Sequence, residues 1–131
     1  MSIFKEMDTV TLFEVGPRDG LQSLPSPISS TSKIALIDAL SLSGLGKIEA
    51  TSFVNPKWVP QLADAADVMA GITRTHGVSY SALAPNLKGA EAAIEAGCDE
   101  IAVFISASQG FSKANLNCSI EDSIRHICPA I

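Results

Sequence analysis

Val10-Thr11-Leu12-Phe13-Glu14-Val15-Gly16-Pro17-Arg18-Asp19-Gly20-Leu21-Gln22 opens as an apolar run, stops at Gly-Pro and empties into arginine, aspartate, glycine and glutamine. A buried strand that ends in a charged turn is how a parallel α/β protein presents chemical groups at the carboxyl edge of its sheet. Arg18 carries a planar fork of donors suited to an oxyanion or a carboxylate. Asp19 is a hard oxygen ligand suited to Mg²⁺ or Mn²⁺. Pro17 and Gly20 are equally the residues of an ordinary β-turn, so on these residues alone a purely structural turn stands beside the catalytic one.

The pattern repeats along the chain. Ser29 to Ser32 offer N-caps for a first helix over Lys33–Ser43, burying Ile34, Ile37, Leu40 and Leu36, with Gly44 and Gly46 ending it. A second strand covers Lys47–Val54 and contains Glu49, an acid inside an apolar run. A buried carboxylate needs a partner, and Arg18 at the end of the neighbouring strand is the candidate. The alternative is that Glu49 points to solvent. The loop Asn55–Gln61 holds Trp58, the only tryptophan, between Pro56 and Pro60. A second helix follows over Leu62–Arg74, with Leu62, Ala66, Met69 and Ile72 on one face. The third strand is Val78–Ala84, and Asn86 caps a third helix over Leu87–Ala96 that Gly97 terminates. The fourth strand, Glu100–Ser106, is the purest apolar run. A polar exit over Ser106–Asn115 leads to Ser119-Ile120-Glu121-Asp122, a capping-box-like start for a fourth helix carrying Ile120, Ile124, Ile127 and Ile131.

Strands alternating with helices imply a parallel sheet with helices packed outside. Four units admit a small doubly wound sheet or half of a (β/α)₈ barrel, which takes about 250 residues when whole. The turn after the first strand lacks the G-x-G-x-x-G of a dinucleotide fold, and there is no Walker A motif.

Composition narrows the function. With 131 residues, 47% hydrophobic and 18% charged, the chain has the makings of one domain with a core. A net charge of −5 and no basic cluster argue against nucleic acid. No apolar run reaches the roughly 18 residues of a membrane span, and the N-terminus carries neither an h-region nor an Arg-rich transit segment, so a cytoplasmic location is expected. Cys98, Cys118 and Cys128 form no CxxC, which points to a reducing compartment rather than to zinc or disulfides. His76 and His126 stand apart and are expected to be structural or solvated.

Glu14-Val15-Gly16-Pro17-Arg18-Asp19-Gly20-Leu21-Gln22 resembles the opening motif of the hydroxymethylglutaryl-CoA lyases. These belong to a wider group of metal-dependent TIM-barrel lyases, synthases and carboxyltransferases with an Arg-Asp-Gly-x-Gln turn. Three later stretches are similar to the lyases in particular: Glu49–Gln61, with Ser52-Phe53-Val54-Asn55-Pro56-Lys57-Trp58-Val59-Pro60-Gln61; Pro85–Gly89; and Asn115–Glu121. The resemblance spans Val10 to Ile131. It implies a partial TIM-barrel domain of the pyruvate carboxyltransferase type over residues 1–131, the N-terminal half of a (β/α)₈ barrel ending after its fourth unit.

The activity it implies is cleavage of 3-hydroxy-3-methylglutaryl-CoA to acetoacetate and acetyl-CoA, a step of leucine degradation and ketone-body formation, with a divalent cation, Mg²⁺ or Mn²⁺, as cofactor. Carried over by motif, Asp19 is a cation ligand, and Arg18 stabilises the enolate oxygen of the thioester. Gln22 bonds near the substrate, Glu49 orients the charged cluster, and Ser52 and Ser119 touch the substrate; Ser106 to Ser108 are weaker candidates. The family completes its metal site with two histidines on one later strand and an asparagine, and uses a cysteine in a glycine-rich loop as acid–base group. None of these matches a residue here, and Gln109 stands where an acid is common. The expectation is a chain inactive by itself, with open sheet edges, that pairs with itself or with a missing C-terminal half. In a eukaryote the family is mitochondrial. The competing readings are a non-catalytic half-barrel serving assembly or binding, and a related metal-dependent synthase or carboxyltransferase.

Overall fold

The structure, a computed structural model, describes residues 10–130. Four parallel strands lie in the order β1-β2-β3-β4: β1 Phe13–Glu14, β2 Lys47–Ser52, β3 Ser79–Leu83 and β4 Glu100–Ala102. The intervening helices are α1 Ser30–Ser41, α2 Ala65–Gly71 and α3 Leu87–Glu95, with α4 Gln109–Leu116 and α5 Ile120–Ile127 after β4. A strand order that follows the chain without reversal has no topological switch point, so the doubly wound alternative is excluded. Helices α1 and α2 pack on one face of the sheet.

That face holds the core. Ile48 and Ala50 of β2 and Tyr80 of β3 pack with Ile37 of α1, with Val68 and Met69 of α2, and with Ile72 just beyond it. The alternate residues Glu49 and Ser81, paired in register, occupy the other face. Between Glu49 and Thr51 the register shifts by one residue, so that Ser52 rather than Thr51 stands level with Leu83. A bulge of this kind exchanges the faces beyond it and brings Ser52 onto the side of Glu49.

Several sequence-derived boundaries move. The first helix begins at Ser30, with Ser29 accepting from Ser32 N–H, and Leu36 is exposed rather than buried. The second is shorter than expected: Pro60–Leu62 forms a tight 3₁₀ turn and α2 ends at Gly71, with Ala65 and Val68 buried where Ala66 is exposed. Strand four is paired only over Glu100–Ala102, and Ala84 N–H to Ala102 C=O is the last bond on this edge. Val103, Phe104 and Ile105 continue past it exposed. Strand one is likewise paired only at Phe13 and Glu14, and Val10, Leu12 and Val15 are exposed. Most of the expected polar exit Ser106–Asn115 is helix α4, capped by Ser108 and ended by Asn117 in the left-handed region (φ 52°). The expected fourth helix is α5, with Ile127 buried and Ile124 exposed; Ile131 lies outside the described residues.

Candidate active site

The turn after β1 is built by its backbone. Arg18 and Asp19 N–H both donate to Val15 C=O (3.1 and 2.7 Å), and Leu21 N–H reaches back to Gly16 C=O. Pro17 is buried, so the turn is anchored on one side while its charged residues lie on the other. Glu14 Oε1 accepts from Gly16 N–H at 2.6 Å and closes the strand end.

Arg18 is the centre of the cluster. Its Nη1 donates to Asp19 Oδ1 at 2.7 Å, and its Nε lies 3.4 Å from Glu49 Oε2. The second contact is an ion pair without hydrogen-bond geometry, since the buried Nε has no acceptor in line. The partner inferred for Glu49 from the sequence is therefore the one observed, and Glu49 does not point to solvent. Burial pushes the Glu49 carboxyl above its ordinary 4.5; the Arg18 charge opposes this and the Asp19 charge adds to it. Asp19 itself is exposed.

Arg18 and Gln22 form one wall of a cleft of about 510 Å³ at the carboxyl ends of the strands. Val54, Asn55, Trp58 and Val59 from the loop after β2 form another, with Leu83, Pro85 and Asn86 beyond them. Phe104, Asn115 of α4, Cys118 between the two helices and His126 of α5 close the far side. Trp58 is 71% exposed there. The sequence reading did not assign Trp58, Asn55, Asn86 or His126 to the site. A helix in the stretch read as a loop is what carries Asn115 to the cleft, and Ser108 three residues ahead of Phe111 was the available signal.

The remaining predicted residues are placed less directly. Ser52 is fully buried, its hydroxyl has no hydrogen-bond partner, and it borders a second groove between α2 and the start of α3. The Ser106 hydroxyl is also buried and unbonded. Ser119 caps α5, accepting from Asp122 N–H at 3.0 Å and bonded to Asp122 Oδ2 at 2.8 Å, so its hydroxyl is already engaged. Gln109 bonds Glu121 and Ile120 N–H and so ties α4 to α5. Burial pushes the Cys98 thiol up to about 11, which leaves it an inert core group.

Among the described residues no group of three or more His, Cys, Asp and Glu converges. Asp19 is one exposed carboxylate, already bonded to Arg18. A hard divalent cation takes six or more oxygens, so these residues do not by themselves form a cation site. Among the described residues no helix is long and apolar enough to cross a membrane.

The chain matches the HMGL-like family over residues 9–131. It is 57% identical over 122 residues to a 3-hydroxy-3-isohexenylglutaryl-CoA/hydroxymethylglutaryl-CoA lyase of Pseudomonas aeruginosa, covering 93% of this chain and 41% of that protein. It is 57% identical over 115 residues to the mitochondrial hydroxymethylglutaryl-CoA lyase of Gallus gallus, covering 88% of this chain and 39% of that one. The structure of an HMG-CoA lyase from Acinetobacter baumannii with coenzyme A and 3-methylmalate superimposes with a TM-score of 0.91 at 42% identity, over 99% of this chain and 42% of that one. The chain thus spans about two fifths of the length of these relatives. Four parallel βα units in unbroken order, an Arg-Asp turn paired with a buried glutamate, and this extent of likeness show that the chain belongs to the HMGL-like family, as the N-terminal half of its (β/α)₈ barrel.

Proposed function

We propose that this chain is the N-terminal half of a lyase that cleaves 3-hydroxy-3-methylglutaryl-CoA to acetoacetate and acetyl-CoA, and that it contributes the part of the site that holds the enolate. The observation that carries this reading is Arg18, held between Glu49 and Asp19 at the wall of the cleft. In the reaction the bond between C2 and C3 breaks. Its electron pair moves onto the thioester carbonyl, the C3 hydroxyl loses its proton as the ketone of acetoacetate forms, and the enolate carbon is then protonated. A fixed guanidinium next to the thioester oxygen stabilises that charge as it develops, in the manner of an oxyanion hole. Glu49 and Asp19 hold the guanidinium in place from two sides. Gln22, on the same wall, is the neighbouring hydrogen-bond group.

Asp19 is proposed as one ligand of a divalent cation whose other ligands lie outside these residues. No step above runs through it. The base for the hydroxyl proton and the acid for the enolate carbon also come from elsewhere. The acyl-CoA substrate class is supported by the coenzyme A complex of the Acinetobacter enzyme. The Pseudomonas relative is also a 3-hydroxy-3-isohexenylglutaryl-CoA lyase, and the apolar cleft residues Val54, Val59, Phe104 and Leu116 suit the larger isohexenyl substituent.

A second reading, a non-catalytic half-barrel used for assembly, is favoured by the exposed apolar edges at Val10–Val15 and Val103–Ile105. Acetoacetate release from 3-hydroxy-3-methylglutaryl-CoA by the 131-residue chain, with Mg²⁺ or Mn²⁺ and with Asp19→Ala as control, separates them. The chain alone is expected to bind the thioester and not to turn it over. Metal-dependent turnover lost in Asp19→Ala would mean that two copies complete a site. A folded chain with neither binding nor turnover would leave the assembly reading.

A further inference from the structure

We propose that the buried Lys33–Asp64 pair is a positioning device that sets the Trp58 loop, and with it one wall of the cleft. The sequence reading took Lys33 as the start of an amphipathic helix and gave it no role. In the structure its side chain is 4% exposed. An ammonium so placed requires good partners, and it has them. Lys33 Nζ donates to Asp64 Oδ1 and to Gln61 C=O, each at 2.5 Å. The other Asp64 oxygen accepts from Ser30 Oγ at 2.6 Å. Asp64 sits at the N-cap of α2 but makes no capping bond with its side chain, so its carboxylate is committed to α1.

The chain of bonds continues toward the cleft. Gln61 Nε2 donates to Leu24 C=O at 2.9 Å, tying the end of the loop after β2 to the segment after β1. Gln22 and Trp58, a few residues upstream of Leu24 and Gln61, both line the cleft. Within the loop, Trp58 and Val59 N–H both return to Asn55 C=O (2.9 and 3.2 Å), and Lys57 N–H returns to Asn55 Oδ1 (3.0 Å). The loop is thus a self-bonded turn held at one end by β2 and at the other by the Lys33 cluster. Trp58, 71% exposed, has little packing to hold it otherwise. Lys33, Asp64 and Gln61 touch no reacting group on this geometry; they act through the loop they hold.

Trp58, the only tryptophan, reports on that loop directly. Time-resolved fluorescence anisotropy would be measured on the chain and on Lys33→Met, Gln61→Ala and Lys33→Arg. Loop motion on the nanosecond scale should increase the fast depolarising amplitude about twofold in Lys33→Met and Gln61→Ala, with Lys33→Arg closer to the parent. Gln61→Ala removes only the Leu24 tether and keeps the residue-61 carbonyl that Lys33 bonds, so the double variant Lys33→Met/Asp64→Leu, which removes both charges, is the decisive one if Lys33→Met fails to fold. A folded Lys33→Met or Lys33→Met/Asp64→Leu with the parent anisotropy decay would overturn the proposal. A second readout rests on the lyase reading: in a complemented barrel, Gln61→Ala should raise KM about tenfold with kcat little changed, as loss of uniform binding does. Failure of the parent to bind the thioester would count against that reading and leave the anisotropy test intact.

Discussion

Replacing Arg18 by Met leaves Glu49 buried on β2 without its counter-charge. Removing one partner of a buried pair costs about 3–5 kcal/mol. Here the Nε–Oε2 separation is 3.4 Å and Arg18 is 16% exposed, so the lower end applies, about 3 kcal/mol. For a domain of this size that corresponds to a drop in Tm of roughly 10 °C. The double variant Arg18→Met/Glu49→Leu removes both charges and should recover most of the loss, because apolar replacement of a buried pair is close to neutral.

The pH dependence carries the sign. Burial raises the folded-state pKa of Glu49 above 4.5, against the opposing pull of Arg18. Its contribution to stability is therefore full below the unfolded value and is lost as pH rises through the folded one. Without Arg18 the folded value rises further, so the decline should extend to higher pH; in Glu49→Leu that slope should vanish. Thermal unfolding followed by circular dichroism from pH 4 to 8 measures both effects. Refutation would be an Arg18→Met chain within about 0.5 kcal/mol of the parent at pH 7, the scatter of an ordinary surface substitution, or a double variant no more stable than the single one.

Gly89→Ala should destabilise by about 2 kcal/mol, since an added Cβ would stand 2.7 Å from the Phe53 carbonyl oxygen and α3 would have to move; an unchanged melting midpoint would contradict this packing. Burial opposes ionisation of Asp64, yet hydrogen bonds from Lys33 and Ser30 prevail and hold its carboxyl below 3.8. The stability it contributes is present above 3.8 and lost as pH falls through the lowered value, so Asp64→Asn should flatten the acid side of the stability profile in denaturant titrations. The unpaired apolar edges should make the chain self-associate as concentration rises, and Leu12→Lys with Ile105→Lys should reduce that association in sedimentation velocity; a monomer at all concentrations would argue against open edges.

Much of the fold was legible because each unit carries its own punctuation. Asn86 and Ser119 cap the helices they were expected to cap, and the alternation of apolar strand and polar turn gave the parallel order. The Arg18–Glu49 pair was legible from cost alone, since an acid inside an apolar strand has few alternatives. The misses share a cause: they depend on partners outside the local pattern. Val103 to Ile105 read as strand by composition, but a strand exists only where another chain segment accepts its bonds, and β3 ends at Leu83 with its last bond to this edge from Ala84. Helix α4 was hidden by Gly110 and a polar face, because it packs on α5 rather than on the sheet. The bulge at Ala50, which decides the face of Ser52, leaves no mark in the residue types. Lys33 stands in the sequence only as the first residue of the expected helix; its partners Asp64 and Gln61 come from some thirty residues away.

This half of the barrel is proposed to supply the enolate-stabilising arginine. That role is tested by mixing the chain with the separately produced C-terminal half of the Pseudomonas aeruginosa relative and following acetoacetate release from 3-hydroxy-3-methylglutaryl-CoA with Mg²⁺. The expected result is turnover in the mixture, none from either half, and a loss of about 10²–10³-fold in kcat with Arg18→Met, the size of losing one oxyanion donor. A reconstituted barrel whose kcat is unchanged by Arg18→Met would contradict it.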